Sequence, residues 1–242
     1  MPGGWKRVIR AVCPSPVVEL ARGLHWRLAL RRSLMRGEVP SFADFVGYET
    51  LVRFLTDQEA YRLPGDFVEI GAFLGGGTAK LAALAASIGK SVWVVDIFDP
   101  NFDHTATVAG VKMSDMYAHF LRHASQEEIF HRVTKPHAKH LRVIRGDSRE
   151  VAFPPGTDFS FGFIDGNHDP AWVENDFRLV WPRIVPGGWI GFHDYGGDLP
   201  LVTSTINELM GEYSEQIAQT VKIQEKTIIL ACKSGGARSF SY

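Results

Sequence analysis

The stretch FVEIGAFLGGGTAKLAALAASI, residues 67–88, decides the fold. Its first four residues are apolar except for Glu69, a composition typical of a short strand that is buried on both faces. A glycine-rich segment follows, and residues 78–88 are dominated by alanine and leucine, which favour a helix. The order of strand, glycine-rich turn and helix indicates the first half of a βαβ unit.

The same alternation continues along the chain. Helical patterns predict helices over 42–55, 171–184 and 201–213. The predicted strands cover residues 67–70, 91–96, 141–144, 159–164, 189–194, 217–224 and 227–233. The last two strands have no helix between them, so we expect them to pair antiparallel. The pattern as a whole predicts a Rossmann-like, doubly wound α/β sheet that is mostly parallel.

Bulk composition excludes several classes of protein. The chain has 242 residues, of which 45 % are hydrophobic and 22 % charged, as is usual for a globular protein with a sizeable core. Its net charge of −1 gives no reason to expect a nucleic acid partner. No apolar stretch reaches the length of a membrane span, so stable membrane insertion is not expected. Cys13 and Cys232 are far apart and predict reduced thiols in a cytoplasmic protein.

Two segments stand apart from the α/β pattern. Residues 1–40 are predicted to form a basic helical extension, because residues 1–36 hold eight basic side chains and one acidic one. We expect it to pack on the domain or on a second subunit, which favours a homo-oligomer; a membrane-surface helix and a lid are the alternatives. Residues 41–242 form the main domain. It contains a polar, irregular insertion at about 99–140, with a helix over 114–123, that is expected to act as a lid.

Acidic residues follow nearly every predicted strand of the parallel part of the sheet. They are Glu69, Asp96, Asp147, Asp165, and Asp194 with His193 before it. One acid after a strand is usually a turn former or a helix cap. Acids at five strand ends are more than turns need, and an open α/β sheet binds ligands outside the carboxyl ends of its strands. The pattern therefore predicts a ligand site at that edge.

The glycine-rich turn narrows the ligand. Phe73 occupies the position of the second glycine in G-x-G-x-x-G, where glycine lets the backbone approach a pyrophosphate, and this argues against NAD and FAD. Glu69, just before the first glycine, suits a positively charged ligand. Asp96 can accept hydrogen bonds from both hydroxyls of a ribose. A cationic nucleoside without phosphates, S-adenosylmethionine, meets these conditions.

Four motifs then point to one enzyme family: PGDFVEIGAFLGGGT, RGDS, FIDGNH and VPGGWIGFHDY, in this order. From about residue 42 to 233 the chain resembles class I S-adenosylmethionine-dependent methyltransferases. More narrowly, it is similar to small-molecule O-methyltransferases with an IDG-x-H strand end and a later HDY. The resemblance implies a seven-stranded sheet whose last strand is antiparallel.

The resemblance also assigns the cofactor site. It implies that S-adenosylmethionine lies against residues on three sides: Glu69, Gly71 and Gly75 at its methionine and ribose end, Asp96 at the ribose, and Asp147 and Ser148 at the adenine. Asp165 is placed at both the cofactor and the acceptor side.

The acceptor side is predicted at the ends of two strands. An enzyme that methylates a hydroxyl must align it and help to remove its proton. Similarity to the catechol O-methyltransferases implies that Asp165 and Asp194 bind a divalent metal, Mg²⁺ or Mn²⁺, with His193 or Asn167 as a third ligand. His168 stands where that group has a lysine base, and is the candidate base here.

Several alternatives stay open at this point. His193 replaces a carboxylate and His168 replaces a lysine of the catechol pattern, so a metal-free reaction with a histidine base, His193 included, is an alternative, as is a structural role for both. A Rossmann-type oxidoreductase and a non-catalytic binding protein are the other function classes. The small-molecule acceptor itself could carry a phenol, a sugar hydroxyl or a carboxylate.

Overall fold

The computed structural model describes residue 44, residues 46–121 and residues 124–235. The predicted extension over 1–40 lies outside the described residues, as do residues 42, 43 and 45 of the predicted helix over 42–55. Residues 46–48 are not helical, and the described helix begins at Glu49. Among the described residues, no helix combines the length and the apolar composition that a membrane span requires.

One seven-stranded sheet organises the described residues. The strands are β1 (Asp66–Ile70), β2 (Val92–Asp96), β3 (Leu141–Arg145), β4 (Phe159–Ile164), β5 (Ile184–Phe192), β6 (Ile217–Ile223) and β7 (Ile228–Lys233). Their order is β3-β2-β1-β4-β5-β7-β6. Strands β1 to β5 are parallel, and β7 is antiparallel to both of its neighbours. The predicted sheet, mostly parallel with an antiparallel last strand, is confirmed.

Helices cover both faces of this sheet. They are α1 (Glu49–Asp57), α2 (Gly76–Ile88), α3 (Met113–Leu121), α4 (Gln126–Thr134), α5 (Pro170–Val180) and α6 (Pro200–Glu212). Successive residues of β1 face opposite layers: Phe67 packs in the cluster that holds Leu51 of α1, and Val68 in the cluster that holds Phe177 of α5. Burial on both faces explains why β1, β2 and β4 are mainly apolar runs without alternation.

The insertion is more regular than its composition predicts. In place of an irregular segment with one helix over 114–123, it contains α3, α4 and a 3₁₀ helix over Lys135–His140. The side chain of Ser125 caps α4 by accepting the backbone N–H of Glu128 at 3.3 Å. Phe130 and Val133 are buried on one side of α4, and the many polar residues around them hide this apolar face in the sequence.

Helix α5 also differs from its prediction, because it ends at Val180 rather than at residue 184. Pro182 has no N–H to donate and its ring crowds the preceding turn, so the chain leaves the α-helix there. A short 3₁₀ turn over Trp181–Arg183 leads directly into β5.

Gly71 sets the spacing between the ends of β1 and β4. Its φ is +83°, and a Cβ at this position would lie 2.0 Å from the backbone oxygen of Asp165. The backbone N–H of Asp165 donates to the carbonyl of Ile70 at 2.8 Å, so β1 and β4 remain hydrogen-bonded up to this point. Only glycine permits both the conformation and the close approach.

Replacing Gly71 with alanine should therefore destabilise the protein far more than the same change at Gly89. Gly89 shares the positive φ, at +76°, but a Cβ at this position would have no atom within 4 Å. Gly89→Ala should cost about 1–2 kcal/mol of unfolding free energy from backbone strain alone. Gly71→Ala should cost roughly 2–5 kcal/mol, because overpacking adds to that strain. Urea unfolding of both variants measures the difference, and equal losses would contradict the close approach.

Candidate active site

Two cavities lie side by side at the carboxyl ends of the parallel strands. The first, here called the β2 cavity, has a lining that includes Asp96, Ile97, Gly146, Asp147, Ser148 and Trp172. The second, the histidine cavity, has a volume of about 330 Å³ and a lining that includes Tyr48, Met113, Met116, Phe120, His168 and His193. Gly71, Phe73, Tyr117 and Asp165 line both cavities, so ligands in the two cavities would meet at these four residues.

Asp96 is buried at the end of β2, where it holds the glycine-rich turn. Its Oδ2 accepts the backbone N–H groups of Ala72 at 2.7 Å and Phe73 at 3.0 Å. Its Oδ1 accepts the N–H of Phe98 at 2.6 Å and the side-chain amide of Gln126 at 3.3 Å. Burial raises the pKa of Asp96, and these hydrogen bonds oppose the rise. The carboxylate thus fixes the turn and also lines the β2 cavity.

Asp147 and Ser148 line the same cavity just after β3. Asp147 accepts the backbone N–H of Arg149 at 3.0 Å and pairs with its guanidinium at 2.7 Å. The hydrogen bond from Arg149 lowers the pKa of Asp147. The same guanidinium lies 3.7 Å from the centre of the Trp172 ring, so Arg149 contacts both the carboxylate and the aromatic ring at this end of the cavity.

Glu69 lies on the other side of the junction, in the lining of the histidine cavity. It is buried, and its carboxyl accepts the hydroxyl of Thr78 at 2.5 Å. Burial raises the pKa of Glu69 to about 8, although hydrogen bonds from Thr78 and Tyr48 oppose the rise. At neutral pH this carboxyl is therefore mainly protonated in the described arrangement, and a cation bound beside it would lower its pKa again.

Gly75 has a packing role in the described arrangement. Its φ is +81°, and a Cβ there would lie 2.8 Å from the Phe130 ring and 2.9 Å from the Thr134 methyl group. Its close neighbours are thus side chains of α4. The described residues that line the two cavities do not include Gly75.

His168 lies between two carboxylates. Its Nδ1 is 2.5 Å from Oδ2 of Asp103, and its Nε2 is 2.8 Å from Oδ2 of Asp194. Only 6 % of the residue is exposed. Burial by itself lowers the pKa of His168, but the hydrogen bonds and charges of Asp103 and Asp194 outweigh it and raise the pKa to about 10. The ring therefore carries two protons at neutral pH in this arrangement.

His193 and Asp194 follow β5 and complete the charged cluster. Nδ1 of His193 is 3.1 Å from Oδ1 of Asp165 and 3.0 Å from Oδ2 of Asp194. Burial lowers the pKa of His193, but the two carboxylates raise it to about 10. Burial would raise the pKa of Asp194, but hydrogen bonds from His168 and His193 hold it well below its usual range. Asp194 adopts a φ of +58°, in the left-handed region, and its side chain contacts both His168 and His193.

The carboxylates of this cluster fit a divalent cation. One ligand atom each from Asp165, His168 and Asp194 lie within 4.8 Å of one another, and carboxylate oxygens are preferred ligands of Mg²⁺ and Mn²⁺. His193 contacts both carboxylates and is therefore within reach of the same ion.

Asn167 and Asp169 are engaged in local structure. Oδ1 of Asn167 accepts the backbone N–H of Asp169 at 2.9 Å, and its role as a metal ligand stays a prediction. Asp169 caps α5 by accepting the N–H of Ala171 at 2.9 Å. The cap interpretation of this segment therefore holds for Asp169, while His168 beside it points into the cluster.

Sequence reasoning missed several residues of this site, and two of them contribute polar groups. Asp103 contacts His168 from the insertion, and Tyr48 lines the histidine cavity from the turn before α1. Neither follows a strand, and no periodicity marks either position. In the sequence, Asp103 is indistinguishable from Asp99 or Asp115, which lie in the same insertion.

A class I methyltransferase is the kind of protein that this sheet order and these strand-end residues define. A model of the methyltransferase domain family matches residues 68–195, from β1 to just after β5, and the chain belongs to this family. The predicted resemblance is thereby confirmed. No curated protein matches the chain.

Solved structures of methyltransferases share the fold. The O-methyltransferase NovP has 17 % sequence identity, with 78 % of this chain and 80 % of that chain covered, at a TM-score of 0.60. The calicheamicin methyltransferase CalS11 has 17 % identity, 95 % and 90 % coverage and a TM-score of 0.55. The O-methyltransferase TomG from Streptomyces achromogenes, in complex with S-adenosylmethionine, has 17 % identity, 84 % and 87 % coverage and a TM-score of 0.50. At these identities the likeness is one of fold.

Replacing Glu69 with glutamine should stabilise the protein at alkaline pH. The pKa of Glu69 is about 8 in the folded state, against an ordinary value of 4.5. Above pH 4.5 the unfolded chain releases this proton while the folded chain keeps it, so the wild-type protein loses stability as the pH rises toward 8. Glutamine keeps the shape and removes the titration.

Urea unfolding at pH 5 and pH 9 tests this. The stability of Glu69→Gln relative to the wild type should improve by a few kcal/mol between the two pH values. Glu208→Gln, at an exposed position of α6, is the matched control and should show no such change. A Glu69→Gln variant with the pH dependence of the wild type would contradict the raised pKa.

Proposed function

We propose that this protein transfers a methyl group from S-adenosylmethionine to a hydroxyl oxygen of a small molecule. The observation that carries the proposal is the junction of the two cavities. Four of the described residues line both a cavity with the features of a nucleoside site and a cavity whose lining includes two histidines and the carboxylates of Asp165 and Asp194. A donor and an acceptor bound in them would be adjacent, as an in-line displacement requires.

The donor is assigned to the β2 cavity. Asp96 would accept from the ribose hydroxyls, and Asp147, Ser148 and Trp172 would border the adenine. S-adenosylmethionine supplies a methyl group that a sulfonium already activates. Gly71 and Asp165 would then lie beside that methyl group, because they line both cavities.

The acceptor is assigned to the histidine cavity. Helix α3 of the insertion contributes Met113, Met116, Tyr117 and Phe120 to its lining, which supports a lid role for this segment. Apolar and aromatic walls on one side and the charged cluster on the other suit a molecule with an apolar body and a hydroxyl at one end. The cavity volume lies within the usual range for small ligands.

His168 is the proposed base. The acceptor hydroxyl would give its proton to Nε2 as its oxygen takes the methyl group. In the described arrangement Nε2 already carries a proton shared with Asp194. The base role therefore requires His168 to exchange its contact with Asp194 for one with the acceptor.

A divalent cation would be held by Asp165 and Asp194, with His193 in reach. Such an ion lowers the pKa of a bound hydroxyl and orients it. A metal-free reaction is the second candidate, favoured by a specific observation: His193 and His168 already neutralise both carboxylates. The cytoplasmic location and the homo-oligomer expected from the sequence remain predictions, which fractionation and light scattering would test.

A turnover assay separates an enzyme from a non-catalytic binding protein. The full chain, incubated with methyl-labelled S-adenosylmethionine, should transfer the label to phenols and to sugars that carry an apolar substituent. It should not label the matched analogues that lack the hydroxyl. Label in the deoxy analogues would overturn the oxygen assignment. Calorimetry should show binding of S-adenosylmethionine and no binding of NAD. Binding of NAD without binding of S-adenosylmethionine would favour an oxidoreductase.

Replacing Asp96 with asparagine should weaken S-adenosylmethionine binding. A hydrogen bond to a charged group is worth roughly 1.5–3 kcal/mol, so Kd should rise about tenfold or more in calorimetry. Since Asp96 also holds the turn, thermal unfolding must be measured in parallel. Asp115→Asn, at an exposed position of α3, is the control. Unchanged affinity in a well-folded Asp96→Asn protein would remove Asp96 from the site.

Metal removal and two substitutions distinguish the two candidate mechanisms. If a cation is required, chelation should abolish turnover and Mg²⁺ or Mn²⁺ should restore it, while Asp194→Asn should lower Mn²⁺ affinity in a direct binding titration. His168→Ala should lower kcat by about 10²–10⁴ if it is the base. His131→Ala, an exposed histidine on α4, is the control.

Each contrary result has a distinct meaning. Full activity in chelator, with His168→Ala or His193→Ala still impaired, would discard the metal and leave histidine catalysis. Full activity of all these variants would discard both mechanisms.

A further inference from the structure

We propose that Asp103 is a positioning residue for methyl transfer, which holds Nδ1–H of His168 so that Nε2 is the atom presented to the acceptor hydroxyl. This inference rests on the function proposed above and adds a residue of the insertion to it.

The contact between Asp103 and His168 is short and buried, and it consists of two hydrogen bonds. Oδ2 of Asp103 is 2.5 Å from Nδ1 of His168 and also accepts the backbone N–H of His168 at 3.3 Å. The side chains are 7 % and 6 % exposed. A buried hydrogen bond to a charged group at this distance fixes the rotation of the ring, because losing it would leave a carboxylate without compensation.

Asp103 is in turn fixed by its neighbours. Its Oδ1 accepts the backbone N–H of Thr105 at 2.9 Å and the hydroxyl of Thr105 at 2.6 Å. Its backbone oxygen accepts the N–H of Ser114 at the start of α3 at 3.1 Å. The position of His168 is therefore coupled to the same helix that supplies the apolar wall of the histidine cavity.

The chemical consequence concerns the tautomer. A neutral imidazole has one N–H, and the nitrogen whose hydrogen bond is stronger retains it. With Asp103 on Nδ1, the proton that leaves is the one on Nε2, and that nitrogen then faces Asp194 and the histidine cavity. Orientation of a base by a third group is a general device of acid–base catalysis.

The reaction step balances once Nε2 of His168, which carries a proton in the described arrangement, has released that proton to solvent. The acceptor O–H bond then breaks and its proton goes to the free Nε2. The oxygen electron pair forms the new O–CH₃ bond as the S–CH₃ bond breaks, and the sulfonium becomes a neutral thioether. The negative charge of Asp103 stabilises the imidazolium that results, while Asp103 keeps no proton of its own.

Asp103 also occupies a particular place between the two cavities. It lines the β2 cavity, whereas His168 lines the histidine cavity. A role limited to donor binding would therefore change the affinity for S-adenosylmethionine. A positioning role would change kcat and the state of the His168 ring, and the two can be measured separately.

The test uses the full chain with ¹⁵N-labelled histidine, and the variants Asp103→Ala, Asp103→Asn and Asp115→Asn. The wild type should show a low-field, slowly exchanging Nδ1–H resonance, assigned to His168 by its loss in His168→Gln. Asp103→Ala should lose this resonance and lower kcat about 10–100-fold, the usual effect of removing a group that orients a functional histidine. Asp103→Asn should be intermediate, Asp115→Asn unchanged, and Kd for S-adenosylmethionine within about threefold throughout.

A resonance that persists in Asp103→Ala with unchanged kcat would overturn the proposal, as would a loss of cofactor affinity that accounts for the whole loss of activity. If Asp103→Ala fails to fold, the near-isosteric Asp103→Asn and Thr105→Val, which removes one donor to Asp103, carry the same test. A wild-type protein that transfers no methyl group would overturn the proposed function and the catalytic role, and the resonance would still decide the contact separately.

Discussion

The register of three parallel strands is the constraint on which the site depends. Ile70 pairs with Ile164, and Ile164 pairs with Phe192, so β1, β4 and β5 end at the same level. The residues that come next in the chain are Gly71, Asp165 and His193, and they meet for that reason. The close approach of Gly71 to the Asp165 backbone then draws the glycine-rich turn against the β4 end, which makes the two cavities adjacent.

Buried charge governs the rest of the site. Three carboxylates, those of Asp103, Asp165 and Asp194, surround the rings of His168 and His193. Carboxylates removed from water are costly unless a positive charge compensates them. Two imidazolium rings provide that compensation here, and a divalent cation could provide it in their place. A cation would bind the carboxylate oxygens that now contact the protonated rings. The cation and the imidazolium rings therefore compete for the same oxygens.

The sequence predicts those parts of the fold that leave a regular pattern of apolar residues, and it does not predict contacts between irregular segments. The strands were predictable because β1, β2 and β4 are apolar runs bounded by turns, and the site residues at their ends follow from sheet geometry. Helix α4 was not predicted, because its buried Phe130 and Val133 are surrounded in the sequence by histidines and charged residues. Asp103 could not be found, because its contact with His168 spans 65 residues between two irregular segments. The cofactor contact of Gly75 stays a prediction, and the described geometry shows its close packing against α4.

Phe73 links the departure from the dinucleotide motif to the proposed chemistry. It adopts a φ of +46°, in the left-handed region that favours glycine, and its N–H donates to Asp96 at 3.0 Å. This conformation costs a residue with a side chain about 1–2 kcal/mol. That side chain lines both cavities, with its ring centre 5.1 Å from that of Tyr117. Phe73 thus places an aromatic side chain at the junction of the two cavities, where the sulfonium of the proposed donor would lie.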